Sequence, residues 1–177
     1  LIGIQVAKEN GELMLFSNAG KAIRFSASCI RCTGRTSQGV LGMRLGEDQQ
    51  VIALLSLENE GQKVFLATEN GYGKSTLISE FRKTGRGGQG VIAMQCTERN
   101  GAVVSALIAE DRQDIMLLSN TGAIIRTPLQ NVPHIGRNTQ GVRLIQLSAD
   151  GYLVGAQVVD TDTDAQDDME DESDPSA

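Results

Sequence analysis

The chain has no tryptophan, one histidine, three prolines and three cysteines, and only six phenylalanine and tyrosine residues together. So few rings argue against the aromatic stacking platforms on which proteins hold single-stranded nucleic acid. A single histidine, with no nucleophile–base pair around it, argues against catalysis within the chain. No run reaches the ~18 apolar residues that a membrane-spanning helix needs. The opening residues, LIGIQVAKEN, carry neither an initiator methionine nor a charged-then-apolar leader. No secretory signal is expected, and the chain reads as a piece of something longer. An odd number of cysteines without such a leader points to a reducing compartment, hence the cytoplasm. What remains is enough for a folded body: 177 residues, 40% of them apolar, can bury a core without disulfides or metals.

The net charge of −6 hides two different objects. Residues 1–159 hold 16 bases and 13 acids, a net of +3, whereas 160–177 hold nine acids and no base. The second stretch, DTDTDAQDDMEDESDPSA, has too little apolar surface to offset the entropy of ordering it. It is expected to be a disordered acidic tail behind a folded body at 1–159.

Within that body the chain repeats itself every 51 residues. Gly20, Gly71 and Gly122 keep the step, as do Gly34, Gly85 and Gly136, and Arg35, Arg86 and Arg137. Gln38-Gly39-Val40 recurs as Gln89-Gly90-Val91 and as Gln140-Gly141-Val142. Leu15, Leu66 and Leu117 follow, and so do the hydroxyls of Ser17, Thr68 and Ser119. The middle copy contains four strand-length apolar runs, VFLATE, STLISEF, GVIAMQC and VVSALIA, separated by glycine-containing turns. No run has helical length or period. Four short strands per copy at fixed period predict an all-β, propeller-like array of four-stranded blades. The pattern predicts three such units, half a unit before them at 1–7 and a closing strand at 153–159. Three blades are too few for the usual ring, so the chain is expected to be an arc of a larger disc.

Charge follows the repeat. The windows 21–44, 70–97 and 122–147 together contain 12 bases and one acid, Glu80, while the rest of 1–159 contains four bases and 12 acids. Ordinary surfaces intersperse the two signs. A basic stripe at one structural position of every blade is the footprint of a polyanion path. Without a recognition helix or ribbon, contacts would go to phosphates and be sequence-tolerant and salt-dependent. The candidate contacts are Lys21, Arg24 and Arg31 in the first copy, Lys74, Arg82 and Lys83 in the second, Arg126 in the third, and Arg35, Arg86 and Arg137 at the Gly-Arg turns. The turn arginines have a second reading, capping of backbone carbonyls, and both can hold.

Three motif matches dissolve on inspection. Thr68 to Ser75 imitates a phosphate-cradling loop, but threonine stands at the first glycine position and a strand follows; it reads as a hairpin turn two residues longer than its sisters. Gly85, Gly87 and Gly90 fit a dinucleotide fingerprint, yet a strand follows here too. Cys29 and Cys32 form C-x-x-C, with Cys96 and His134 the only other ligand candidates. His134 lies two periods beyond Cys32 and cannot face it across one site. No metal is expected.

The stretches QGVIAMQCTERNGAVV, ENGYGKST and IGRNTQGVRLI, with the acidic tail, make residues 1–159 resemble the DNA gyrase A C-terminal domain. The resemblance implies a six-bladed β-pinwheel that wraps duplex DNA around a positive rim and supports ATP-dependent negative supercoiling by a type IIA topoisomerase. It also implies that the acidic tail modulates wrapping and that the domain itself is non-catalytic. ATP and Mg would be used elsewhere in the enzyme, and neither Tyr72 nor Tyr152 matches the cleavage motif. Implied partners are duplex DNA, the rest of gyrase A, and gyrase B, in a cytoplasmic, nucleoid-associated A2B2 assembly. The family's signature box reads Gln, Arg or Lys, Arg, Gly, Gly, Lys, Gly; here Thr84-Gly85-Arg86-Gly87-Gly88-Gln89-Gly90 matches it at four positions. It reads as a degenerate copy, with the true box upstream of this chain, so weak DNA binding is the expectation for the chain alone. The alternatives are a topoisomerase IV-type C-terminal domain and a kelch-like protein-binding propeller. A nucleotide-using enzyme built on the glycine-rich turns is a more distant third.

Overall fold

The computed structural model describes residues 1–160. Apart from Asp160, the expected acidic tail at 160–177 lies outside the described residues. Eleven strands follow in order: β1 (Glu12–Ser17), β2 (Lys21–Ser26), β3 (Val51–Leu57), β4 (Lys63–Thr68), β5 (Tyr72–Leu77), β6 (Val91–Ile92), β7 (Val103–Ala109), β8 (Gln113–Ser119), β9 (Ile124–Pro128), β10 (Val142–Arg143) and β11 (Leu153–Asp160). A single 3-10 turn follows each of β2, β5 and β9, at Ala27–Cys29, Ile78–Glu80 and Leu129–Asn131. The described residues contain no α-helix, and none of their helices is long and apolar enough to cross a membrane.

The strands form two four-stranded sheets, β3-β1-β2-β6 and β10-β5-β4-β7, and a three-stranded sheet, β11-β8-β9. Each is antiparallel. Three four-stranded units, each drawn from one repeat, are therefore not what forms. The Gln-Gly-Val run leaves its own repeat and seats on the previous blade: β6 pairs with β2 through Lys21↔Ile92 and Ala22↔Val91, and β10 pairs with β5 through Val142↔Gly73 and Arg143↔Tyr72. The matching segment of the first copy, around Val40, forms no strand, and neither does 1–7, where a half unit was expected. Among the described residues no blade precedes the first copy as the first and second blades precede β6 and β10.

Glycine makes the strand transfer feasible. Gly90 and Gly141 have φ of +74° and +75°, and each passes so close to the neighbouring blade that a Cβ would collide with the Ala22 or the Gly73 carbonyl. Gly39 has φ +82° with nothing within 4 Å. The hairpins β1–β2, β4–β5 and β8–β9 turn through Gly20, Gly71 and Gly122, whose N–H groups donate to Ser17, Thr68 and Ser119 carbonyls at 3.0, 3.0 and 3.1 Å. This is the three-residue loop with glycine in the left-handed region. The Thr68–Tyr72 turn has the length of its sisters, because the registers Phe16↔Ala22, Ala67↔Gly73 and Leu118↔Ile124 step by one period. The extra two residues expected there are absent.

The core lies between blades. In β4 the pleat sends Val64 and Leu66 to a cluster with Met14, Phe16 and Leu55 of the first blade. It sends Phe65 and Ala67 to a cluster with Ile115, Leu117 and Leu153 of the third. All four are fully buried, so the run VFLA reads as continuous rather than alternating apolar sequence, as a strand covered on both faces must. Burying each large side chain contributes about 1.5–3 kcal/mol. The blades converge along β3, β7 and β11, where β3 packs on β7 and β7 on β11. The opposite edges, β6, β10 and β9, point outward.

Candidate nucleic-acid interface

The radial order sorts the charge. The basic windows hold the outer half of every blade (β2 and β6, β5 and β10, β9) with the turns between them, and the acid-rich remainder holds β1, β3, β4, β7, β8 and β11. The ten sequence-predicted cations all lie in the outer windows, but they do not form one class.

Arg31, Arg35 and Arg82 are exposed and form no ion pair among the described residues. Lys21 is half-buried at the start of β2. Arg86 and Arg137 are tethers between repeats. Arg86 donates to the Cys29 and Leu41 carbonyls at 3.0 and 3.1 Å, and Arg137 to the Ile92 carbonyl at 2.9 Å, one period on. The capping reading of these turn arginines therefore holds geometrically. Lys83 and Arg126, which show no carboxylate partner in the sequence, have one in space: Lys83 Nζ lies 2.9 Å from Glu12 Oε1, and Arg126 Nε lies 2.6 Å from Asp114 Oδ2.

Two candidates are buried. Arg24 is 5% exposed. It donates from Nε to Glu12 at 2.6 Å, from Nη2 to Glu60 at 2.8 Å, and from Nη1 to the Ile78 and Phe81 carbonyls of the next repeat at 3.2 and 3.0 Å. Glu12's own partners hold its carboxyl below the usual range, the Lys83 hydrogen bond contributing most and Arg24 adding to it against burial. Lys74 is 0% exposed. It occupies the position held by Ile23 and Ile125 in the sister repeats, so its stem packs as core while Nζ donates to the Gly136 and Arg137 carbonyls and to Thr139 Oγ1. Burial lowers its pKa to about 8.

Sequence reading misses a cluster on the second blade. Arg99 and Arg143 flank the Tyr72 ring with guanidinium carbons 5.1 and 5.4 Å from its centroid, and both donate to Tyr72 Oη, at 3.2 and 2.9 Å. Arg143 falls in a basic window, Arg99 in an acidic stretch, and no local signal connects residues so far apart in sequence. The cysteines are free, with Cys29 and Cys32 exposed and Cys96 partly buried. Burial pushes the Cys96 thiol up. His134 sits one period after Lys83 and bridges to Ser75 beside β5.

The family sequence model described as DNA gyrase C-terminal domain, beta-propeller, matches three successive segments, 11–58, 62–110 and 113–160. The DNA gyrase A protein of Pseudomonas aeruginosa is 48% identical over 159 residues, covering 90% of this chain and 17% of that protein. The gyrase A protein of Escherichia coli is 41% identical over 167 residues, covering 94% of this chain and 19% of that protein. The chain thus spans under a fifth of the length of these relatives. A solved DNA gyrase A C-terminal domain superposes with a TM-score of 0.78 at 27% identity, covering 85% of this chain and 51% of that one. The C-terminal domain of a DNA topoisomerase IV superposes at 0.80 with 22% identity, covering 85% and 47%, and shares the fold.

Proposed function

The chain belongs to the DNA gyrase C-terminal domain family, and from that premise we propose that it is a duplex-DNA-binding arc of a gyrase A protein. In this reading it bends DNA along its outer edge and so supports negative supercoiling by the whole enzyme. The observation that carries the reading is the sorting of charge by radius, with 12 bases and one acid in the outer windows. The guanidiniums of Arg31, Arg35 and Arg82, exposed and without an ion pair among the described residues, are the direct phosphate contacts. Arg86 and Arg137 hold the turns and add potential. Arg24 and Lys74 hold blades together and touch no DNA. The chain performs no chemistry. Strand cleavage and ATP hydrolysis with Mg belong to the rest of gyrase A and to gyrase B, its partners in a cytoplasmic A2B2 enzyme.

The test is duplex affinity against salt. Each phosphate neutralised should add about −0.9 to the slope of log K against log salt. Replacing Arg31, Arg35 and Arg82 together with alanine should flatten that slope. A native chain that fails to bind duplex DNA at low salt would remove the reading.

A further inference from the structure

Two guanidiniums converge on one phenol oxygen, and no carboxylate forms an ion pair with either among the described residues. Arg99 and Arg143 are both exposed, and each stacks on the Tyr72 ring while donating to Oη. Like charges at such range repel, and a neutral phenol compensates for little of that. The two donors hold the Tyr72 hydroxyl below the usual phenol range, Arg99 contributing most. Beside them opens a cleft of about 320 Å³, whose lining adds Asn70, Gln146 and Ser148.

The cluster is a departure from the repeat. Where Tyr72 stands, the sister copies carry Lys21 and Ala123; where Arg143 stands, Leu41 and Ile92; where Arg99 stands, Asp48 and Asp150. The fold does not require the trio, since the first blade has the same four strands and carries Lys21, Ile92 and Asp48 at these positions. One blade has exchanged an acid for an arginine and placed a second arginine and an aromatic ring against it. Aromatic stacking pre-orients a planar guanidinium and leaves its remaining N–H groups free, the arrangement in which arginine pairs with a phosphate. Arg143 lies on β10, the outermost strand of the blade, so the cleft opens beside the basic edge.

We propose that Arg99 and Arg143, aligned by Tyr72, form a clamp for one backbone phosphate of duplex DNA on the second blade. Tyr72 is a positioning residue: it touches the guanidiniums, not the phosphate. The proposal rests on the DNA-binding reading above and adds to it a defined contact outside the ten predicted cations.

The experiment measures binding of the 177-residue chain to a mixed-sequence duplex across a salt series. The variants are R99A/R143A, R99Q/R143Q, Tyr72→Phe, and R31A/R35A/R82A as a control elsewhere on the edge. Thermal melts confirm folding, and the glutamine pair retains amide donors near the phenol while removing both charges. The clamp predicts that both double variants lose affinity and that the salt slope falls by about 0.9, one phosphate's worth. Tyr72→Phe should weaken binding with its slope unchanged, because no charge is lost. Native slopes in both double variants, with a reduced slope in the control, would overturn the clamp and leave the DNA reading standing. Absence of binding by the native chain at low salt would overturn both.

Discussion

Lys74 carries a charge where its repeat-mates carry isoleucine. Burial depresses its pKa from 10.5 to about 8. Between those values the unfolded chain keeps a proton that the folded chain has released, so stability rises with pH across the window, at a limiting slope of about 1.4 kcal/mol per pH unit. Lys74→Met should fold and lose that rise; denaturant midpoints from pH 7 to 10.5 on both proteins check it. Arg24 makes the opposite argument. It ties Glu12 and Glu60 to two carbonyls of the next repeat, and leaving a buried acceptor without its donor costs about 1–3 kcal/mol. Arg24→Ala should therefore lower the melting temperature sharply while the folded fraction binds DNA with native affinity and native salt slope. Both residues look like ordinary edge cations in a charge count. The burial of Lys74 was legible only by aligning the repeats, which set it in a column with Ile23 and Ile125; that of Arg24 was not legible, because its partners at 60, 78 and 81 come from the next repeat.

At the scale of the element, two of the four apolar runs of the middle copy predicted strands close to those observed, VVSALIA being β7 and VFLATE overlapping β4 in all but its last residue, whereas STLISEF joins β5 only at 75–77 and runs into a 3-10 turn, and GVIAMQC is strand only at Val91–Ile92. What the pattern could not say is which sheet a two-residue strand joins. Alternation and propensity describe a strand's own faces, whereas the seat of β6 and β10 is decided by the free edge of the blade before. Glycine is the local trace of that choice. Gly90→Ala and Gly141→Ala combine positive φ with a collision against another blade's backbone, and should each cost at least ~2 kcal/mol. Gly39→Ala, strained by the same φ but facing open space, should cost about 1 kcal/mol. Urea titrations of the three variants check the ordering.

The whole molecule sets acid near the convergent strands and base at the outer edge, then adds nine more acids from 160 to 177. Those carboxylates are covalently attached to the body whose edge they would neutralise, which gives them a high effective concentration. A chain ending at Val159 should bind duplex DNA more tightly than the full one, most clearly at low salt, where screening is weakest. Equal affinities in a paired salt titration would exclude competition. The overall acidic balance conceals this arrangement, and reading it required dividing the charge by repeat position first.

Strand lending between blades also orders events in time. The first sheet lacks its fourth strand until Val91 is available, 34 residues after β3 ends at Leu57. Meanwhile the edge of β2 is open, and the Gln-Gly-Val at 140–142 carries the same tripeptide as the one at 89–91. A chain refolding from denaturant offers both to that edge at once, and seating the later one omits a whole repeat. Synthesis from the N-terminus presents 89–91 before 140–142, so translation itself resolves the choice between these two downstream copies.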